Sequence, residues 1–346
     1  MERKSPGVKI QLVRYVFVAV VICGSIIFAW TATQPASSLL TQATAILPNE
    51  TFTSNCYAWL PGEELIASRQ HKLWRWNART GARSAIEGID VTDFGTSRLA
   101  ASPDGKWLTW LRANEPDWSI HVARLSQPAR PLEGLLIGRK RHPFNSPQWS
   151  SDSRYIIDRA NDADKWWAVV LDLQSGEVIR AVPMSNHAGS KLGNNQNWVV
   201  LSATQLLSSE PLHTSRGGQS NSADIIEYEL GNTVHEVIER NVAAPEGTIP
   251  QEVKVAPTGD CIAWIVTREN AHPWDAWLAR FIPSWSEKPS WAQELWVSSI
   301  AGSNKRMIGS VRVNSNSNGI SDLRWRPDGR SVSFLSQATL FTIGVR

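Results

Sequence analysis

Leu99 to Trp110, reading Leu-Ala-Ala-Ser-Pro-Asp-Gly-Lys-Trp-Leu-Thr-Trp, is a β-hairpin legible in the sequence. Pro103 pre-sets φ for the first central turn position, Asp104 bonds back to the backbone, and Gly105 tolerates positive φ. Short apolar runs of strand length flank the turn on both sides. The chain then repeats the pattern. Leu323 to Phe334 carries the same turn at Arg326-Pro-Asp-Gly-Arg330, and Val255 to Ile265 is a looser copy. Pro147 to Ile157 keeps Asp152 and places Ser153 where glycine stood; Tyr57 to Ala67 keeps Pro61 and Gly62. In Lys191 to Leu201, asparagines serve the turn, which gives six hairpins in all.

A second strand pair follows each hairpin. Lys72–Trp76, Ser119–Leu125, Ala168–Leu173, Ile225–Leu230 and Glu294–Ile300 are apolar strand patterns, and most of them run into turns such as Asn77–Gly81 and Gln174–Gly176. Aligning Pro61, Pro103, Ser151, Asn194, Pro257 and Pro327 gives intervals of 42, 48, 43, 63 and 70 residues. Four short strands at a period of roughly 40–50 residues define a β-propeller blade. The expectation is an all-β, six-bladed propeller of four-stranded blades over residues 54–346. The final unit has only three strands before the chain ends at Arg346, so a segment before Cys56, around Ala43 to Leu47, is expected to complete it; otherwise an edge stays open.

The Ser-Pro-Asp-Gly-Lys turn with its neighbouring aromatic resembles the WD40-like repeat of TolB-type β-propellers, also seen in the propeller domains of prolyl-oligopeptidase-like enzymes. The resemblance covers about Cys56 to Arg346. It is strongest at Ser102 to Lys106 and Arg326 to Arg330. It implies a fold and no particular activity, because propellers host many unrelated functions.

The chain contains 18 tryptophans, and Trp59, Trp74, Trp76, Trp107, Trp110, Trp149, Trp198, Trp264, Trp296 and Trp325 stand at strand positions. Large flat side chains suit the wedge between blades; a carbohydrate-binding platform is the alternative use. With 35 basic and 32 acidic residues, the net charge of +3 gives no basic surplus of the kind nucleic-acid binding requires. Cys56 and Cys261 fall in repeats that are not neighbours in a six-blade ring, so no disulfide between them is expected. No Cys/His spacing suits zinc, and one acid near the channel, Asp322, is too few for calcium. No cofactor or metal is expected.

Residues 15–32 are uncharged and mostly apolar, and follow Arg3, Lys4, Lys9 and Arg14. Eighteen helical residues reach about 27 Å, near the thickness of a bilayer core. The basic flank, residues 1–14, stays cytoplasmic and places the remainder on the other side. A single-pass signal anchor is expected, with a cleaved signal peptide as the alternative. Residues 33–53 then form a linker lifting an extracytoplasmic, periplasmic or extracellular, propeller off the membrane.

The two long intervals place expected inserts at Thr204–Ala223 and Thr267–Gln293, on adjacent blades and on the face opposite the Pro-Asp-Gly turns. Loops of that length in compact domains are usually functional. The first is rich in Ser, Gly and Asn. The second, from His272 to Pro283, sets Trp274, Trp277, Leu278 and Phe281 on one helical face, with Trp285 and Trp291 following. That stripe either caps the rim or contacts a partner, glycan or membrane interface. The basic run Arg139, Lys140 and Arg141 is expected in the connection between blades two and three, on the same face. No Gly-x-Ser-x-Gly elbow, P-loop or zincin helix occurs, and the innermost strands offer Arg98, Gln148, Lys254 and Arg324 where metal chemistry would need carboxylates. The sequence reading is therefore a non-catalytic, membrane-tethered protein-binding or scaffold module contacting its partner through Trp274, Trp277, Phe281, Trp285, Trp291 and Arg139 to Arg141. Its rivals are a channel-centred enzyme and a carbohydrate-binding module.

Overall fold

The computed structural model of the chain describes residues 38–52, 56–69, 72–89, 99–114, 117–125, 130–135, 141–143, 147–162, 165–173, 177–184, 198–202, 204–213, 219–269, 291–313 and 319–345. Strands form six antiparallel sheets. A short helix α1 (Ser38–Gln42) and strand β1 (Thr44–Ile46) come first. Blade one is β2 (Tyr57–Trp59), β3 (Glu64–Arg69), β4 (Lys72–Asn77) and β5 (Arg83–Ile86). Blade two is β6 (Ala100–Ala101), β7 (Trp107–Asn114), β8 (Asp117–Arg124) and β9 (Arg130–Leu135). Blade three holds β10 (Arg141–Pro143), β11 (Gln148–Trp149), β12 (Tyr155–Asp162), β13 (Lys165–Asp172) and β14 (Glu177–Met184). Blade four is β15 (Trp198–Ser202), β16 (Gln205–His213), β17 (Gln219–Leu230) and β18 (Val234–Ala243). Blade five is β19 (Ile249–Val255), β20 (Cys261–Glu269), β21 (Trp291–Ser299) and β22 (Arg306–Val313). Blade six is β23 (Ile320–Trp325), β24 (Ser331–Ser336) and β25 (Thr339–Gly344), and β1 pairs on β25 as its fourth strand.

The core is six separate wedges, one at each seam between neighbouring blades. Along β20, Ile262, Trp264 and Val266 turn toward blade four, while Ala263 and Ile265 turn toward blade six. Along β12, Ile156 enters the seam with blade two and Ile157 the seam with blade four. Side chains alternate faces along a strand, and both faces of a blade are buried, so the central strands read as continuous apolar runs. Nine of the ten expected wedge tryptophans fill these seams, and the side chain of Trp198 lies outside those described. Trp59, Trp76, Trp110, Trp149 and Trp264 are buried and Trp74, Trp107, Trp296 and Trp325 half-buried, all in seam clusters. The indole NH of Trp149 donates to Ala100 O (3.3 Å) and that of Trp325 to Lys254 O (2.9 Å), each reaching the preceding blade's innermost strand.

The turns behave as their sequence predicts. Ser102 Oγ donates to Asp104 Oδ1 (2.6 Å) and accepts from Trp107 N (2.9 Å), while Lys106 N donates to the same Asp104 oxygen (3.0 Å). Ser150, Asp152, Arg154 and Tyr155 repeat that lattice in blade three. Ser153 takes the glycine position there with φ of 62°, and its hydroxyl accepts from Asp104 N (2.9 Å), joining two blades.

Three details depart from expectation. In the fourth repeat, Trp198–Ser202 is the innermost strand and not the second, and the supposed insert contains the paired strands β16 and β17. The buried serines hid this. Ser208 and Ser209 are both buried, and Ser209 Oγ donates to Val253 O across the seam with blade five (2.8 Å), so a polar side chain is satisfied within a strand. Second, Arg141 begins a strand and is not part of a loop between blades. β10 and β11 both pair on one edge of β12, forming one innermost strand interrupted over residues 144–147. Third, the expected closure at Ala43 to Leu47 is present, but it is preceded by α1, whose Leu39 is fully buried in the seam of blades five and six. Among the described residues no helix is long and apolar enough to cross a membrane; the expected span, residues 15–32, lies outside them.

Gly105 packs at the seam of blades one and two. Its φ is +70°, and a Cβ there would stand 2.8 Å from Pro61 Cδ. Gly105→Ala is expected to cost about 1–3 kcal/mol from left-handed strain and this contact. Urea unfolding of the single and double variants with Pro61→Ala should show the two changes coupled by at least about 0.5 kcal/mol.

Candidate functional site

The strand-two to strand-three hairpins single out blade five. Their last paired residues are Arg69 and Lys72 in blade one, Asn114 and Asp117 in blade two, Asp162 and Lys165 in blade three, and Ser336 and Thr339 in blade six. Two residues close each of these hairpins. In blade four the last pair is His213 and Gln219, around residues 214–218. In blade five, pairing runs out to Glu269 and Trp291, and residues 270–290 make the connection. Among these six hairpins, therefore, the long connection is that of blade five, on the face opposite the Pro-Asp-Gly turns.

The stem of that insert is held by an ion pair between the half-buried Arg268 and the buried Glu294. Arg268 Nε donates to Glu294 Oε1 (2.7 Å) and its Nη2 to Glu294 Oε2 (3.2 Å). Trp296 Nε1 donates to the same carboxylate (2.8 Å), and Arg268 Nη1 donates to Glu246 O in the connection from blade four (2.9 Å). The hydrogen bonds to Glu294 raise the pKa of Arg268 above its ordinary value. The half-buried Trp291 begins the returning strand. Of the other residues expected to contact a partner, Trp274, Trp277, Phe281, Trp285, Arg139 and Lys140 lie outside the described residues, and Arg141 is placed on β10.

The second polar concentration lies on the innermost strands of blades five, six and one. β23 carries a register shift between Ser321 and Arg324, and within it Asp322 has φ of 53°. This bulge brings the Asp322 carboxylate onto the Arg324 guanidinium in a two-bonded pair, Nε to Oδ1 at 2.9 Å and Nη2 to Oδ2 at 3.2 Å. Arg324 Nη1 donates to Tyr57 O (2.7 Å), and the guanidinium lies 4.3 Å from the Tyr57 ring centroid. Leu323 N donates to Glu252 Oε2 (2.8 Å) from the bulged inner strand of blade five. Asp322 and Arg324 were legible in the sequence as channel residues. Tyr57 and Glu252 were not, because Tyr57 arrives only when the first and last blades meet and Glu252 only across the seam of blades five and six. Of the remaining expected channel groups, Lys254 contributes its carbonyl to Trp325, Gln148 stands in β11, and Arg98 lies outside the described residues. Among the described residues, no three His, Cys, Asp or Glu converge as a metal site.

These groups are engaged with one another across seams. The arrangement holds three innermost strands in register and leaves the insert of blade five as the feature that distinguishes one blade from the rest.

No family model matches the chain, and no curated protein matches it. Solved structures do. The oligogalacturonate lyase of Vibrio parahaemolyticus superposes with a TM-score of 0.51 at 8% identity, covering 88% of this chain and 93% of that one. The hydrazine synthase of Kuenenia stuttgartiensis gives 0.48 at 15% identity, covering 82% and 74%. A protein assigned as TolB from Agrobacterium tumefaciens gives 0.46 at 12% identity, covering 85% and 91%. At these identities the likeness concerns the fold alone: a six-bladed propeller with TolB among its structural neighbours.

Burial raises the pKa of the Tyr57 hydroxyl above the ordinary tyrosine value, and the Asp322 charge adds to this, while Arg324 and the Ser333 hydroxyl act in the opposite sense. The folded protein thus holds this proton more tightly than the unfolded chain. Stability should fall as pH rises above about 10, where the unfolded chain releases its tyrosine protons first. Tyr57→Phe should flatten that fall. Urea midpoints of both proteins from about pH 8 to about pH 11 check it.

Proposed function

We propose that this protein is a membrane-tethered, extracytoplasmic, non-catalytic propeller that binds a protein partner through the insert of blade five. The observation that carries the reading is the contrast among hairpins, two residues in four blades against residues 270–290 in blade five. A loop of that length on an otherwise regular ring supports a functional role. Its composition supports binding. Trp274, Trp277, Phe281 and Trp285 lie in this short stretch, and aromatic anchors dominate protein interfaces. The ion pair of Arg268 and Glu294 gives the insert a fixed origin. The polar groups of the innermost strands bind each other across seams, a structural use in keeping with a scaffold. The tether rests on the uncharged residues 15–32 behind a basic flank.

In this reading Trp274 and Phe281 seat the insert, while Trp277, Trp285 and the run Arg139 to Arg141 meet the partner. Trp277→Ala and Trp285→Ala in full-length protein, purified from detergent-solubilised membranes, should lower partner recovery at least tenfold. Their thermal midpoints should stay within about 2 °C of the parent, as surface substitutions do. A fall of the size expected for a deleted core tryptophan, about 3–5 kcal/mol, with recovery intact in the folded fraction, would make the insert a rim cap. The tether is tested separately by the mass of the mature chain. It should retain residues 1–14, and an N-terminus between Thr33 and Ser38 overturns it.

A further inference from the structure

The seam between the last and first blades is closed twice. The outer closure is a strap, residues 38–52. Its β1 pairs only Thr44, Ala45 and Ile46 with Thr342, Phe341 and Leu340. Phe52 N donates to Ala338 O (2.8 Å), and Leu39, Ile46 and Phe52 are buried. The hydrogen bonds of the inner closure are made by groups outside the strap, though Phe52 of the strap packs edge-on against the Tyr57 ring (centroids 6.0 Å apart). Arg324 Nη1 bonds Tyr57 O at 2.7 Å, Trp59 Nε1 bonds Ser333 Oγ at 2.8 Å, and Arg326 donates to Gly62 O while lying over the Trp59 ring.

Backbone strain gathers at the outer closure. Among the described residues, the non-glycine positions with positive φ are Leu47, Ser153, Asn304, Asp322, Gln337 and Ala338. Leu47 lies in the strap, and Gln337 and Ala338 form the turn between β24 and β25 that the strap grips. Neither leucine nor alanine has a side chain that eases this conformation. Strain of this kind persists only where neighbouring contacts hold it, and here the holding element pairs through three residues.

We propose that the strap is a releasable element. It detaches from blade six as a unit while the inner closure keeps blades one and six together, leaving the outer edge of β25 unpaired. The strap follows residues 15–32 after five further residues, so a load on the N-terminus reaches Leu39 and β1 before it reaches β2 to β25. The link to a membrane rests on the tether proposed above; the release does not.

Hydrogen exchange on the full-length protein tests this. Amides of residues 39–46, and those of β25 that face β1, should exchange at one common rate, at least tenfold faster than amides of β22, which is equally an outermost strand. Amides joining β23 to β24 should stay as slow as the slowest in the molecule. Exchange of the strap at the rate of β22 or slower, or simultaneous opening of β23 and β24, overturns the proposal. Gly309→Ala gives a second reading. A Cβ at Gly309 in β22 would stand 2.7 Å from Leu39 Cα, so the variant should speed exchange of the strap a further tenfold with β23 and β24 unchanged. A disulfide joining Ala45→Cys to Phe341→Cys, at paired positions, should abolish the fast phase. If the fast phase survives that lock, the strap is not the element that opens.

Discussion

Everything in this molecule depends on burying both faces of every blade. A four-stranded sheet of short strands cannot bury enough apolar surface alone, so each blade relies on its two neighbours, and the six wedge clusters stabilise the ring only jointly. The tryptophans matter because one side chain can fill a wedge and still send its indole NH to a carbonyl of the preceding blade, as Trp149 and Trp325 do. Losing one seam would expose the faces of two blades.

The most demanding seam lies between blade six and blade one, the first and last blades of the chain. The structure answers with an inner set of polar contacts and an outer strand borrowed from the beginning of the chain. The inner set centres on Arg324, whose guanidinium joins Asp322 to the backbone of Tyr57. A half-buried arginine of this kind is stable only when its carboxylate and carbonyl partners are supplied together, and the bulge at Asp322 is the distortion that supplies them. The outer strand removes an open edge that would otherwise invite pairing with another chain.

The two-residue hairpins of four blades give meaning to the long connection in blade five. They show that a blade of this ring needs only two residues at that position. The residues added in blade five are thus not required by the fold, and their stem is fixed by Arg268 and Glu294 more firmly than a passive loop demands. Similar rings in solved structures carry varied functions, as expected when function resides in what a regular scaffold presents.

Much of this was legible from local chemistry. Pro103, Asp104 and Gly105 and their copies at 326–330 determine hairpins by themselves, because turn geometry depends on neighbouring residues alone. The repeat interval then requires blades, and a missing last strand requires a donor near residue 45. The sequence misled where polarity was satisfied at a distance. Ser208 and Ser209 looked like loop until Val253 of the next blade was seen to accept from one of them, and Arg141 looked like a connection until β12 was seen to extend past it. The partnership of Tyr57, Glu252, Asp322 and Arg324 was beyond any local reading. These residues come from three blades, and Tyr57 and Arg324 are brought together only when the first and last blades meet. The sequence by itself determined the number of blades, the insert of blade five and the early segment that completes the last blade; the tertiary structure alone decided which polar groups lock the first blade to the last, because those contacts join residues more than 260 apart in the chain.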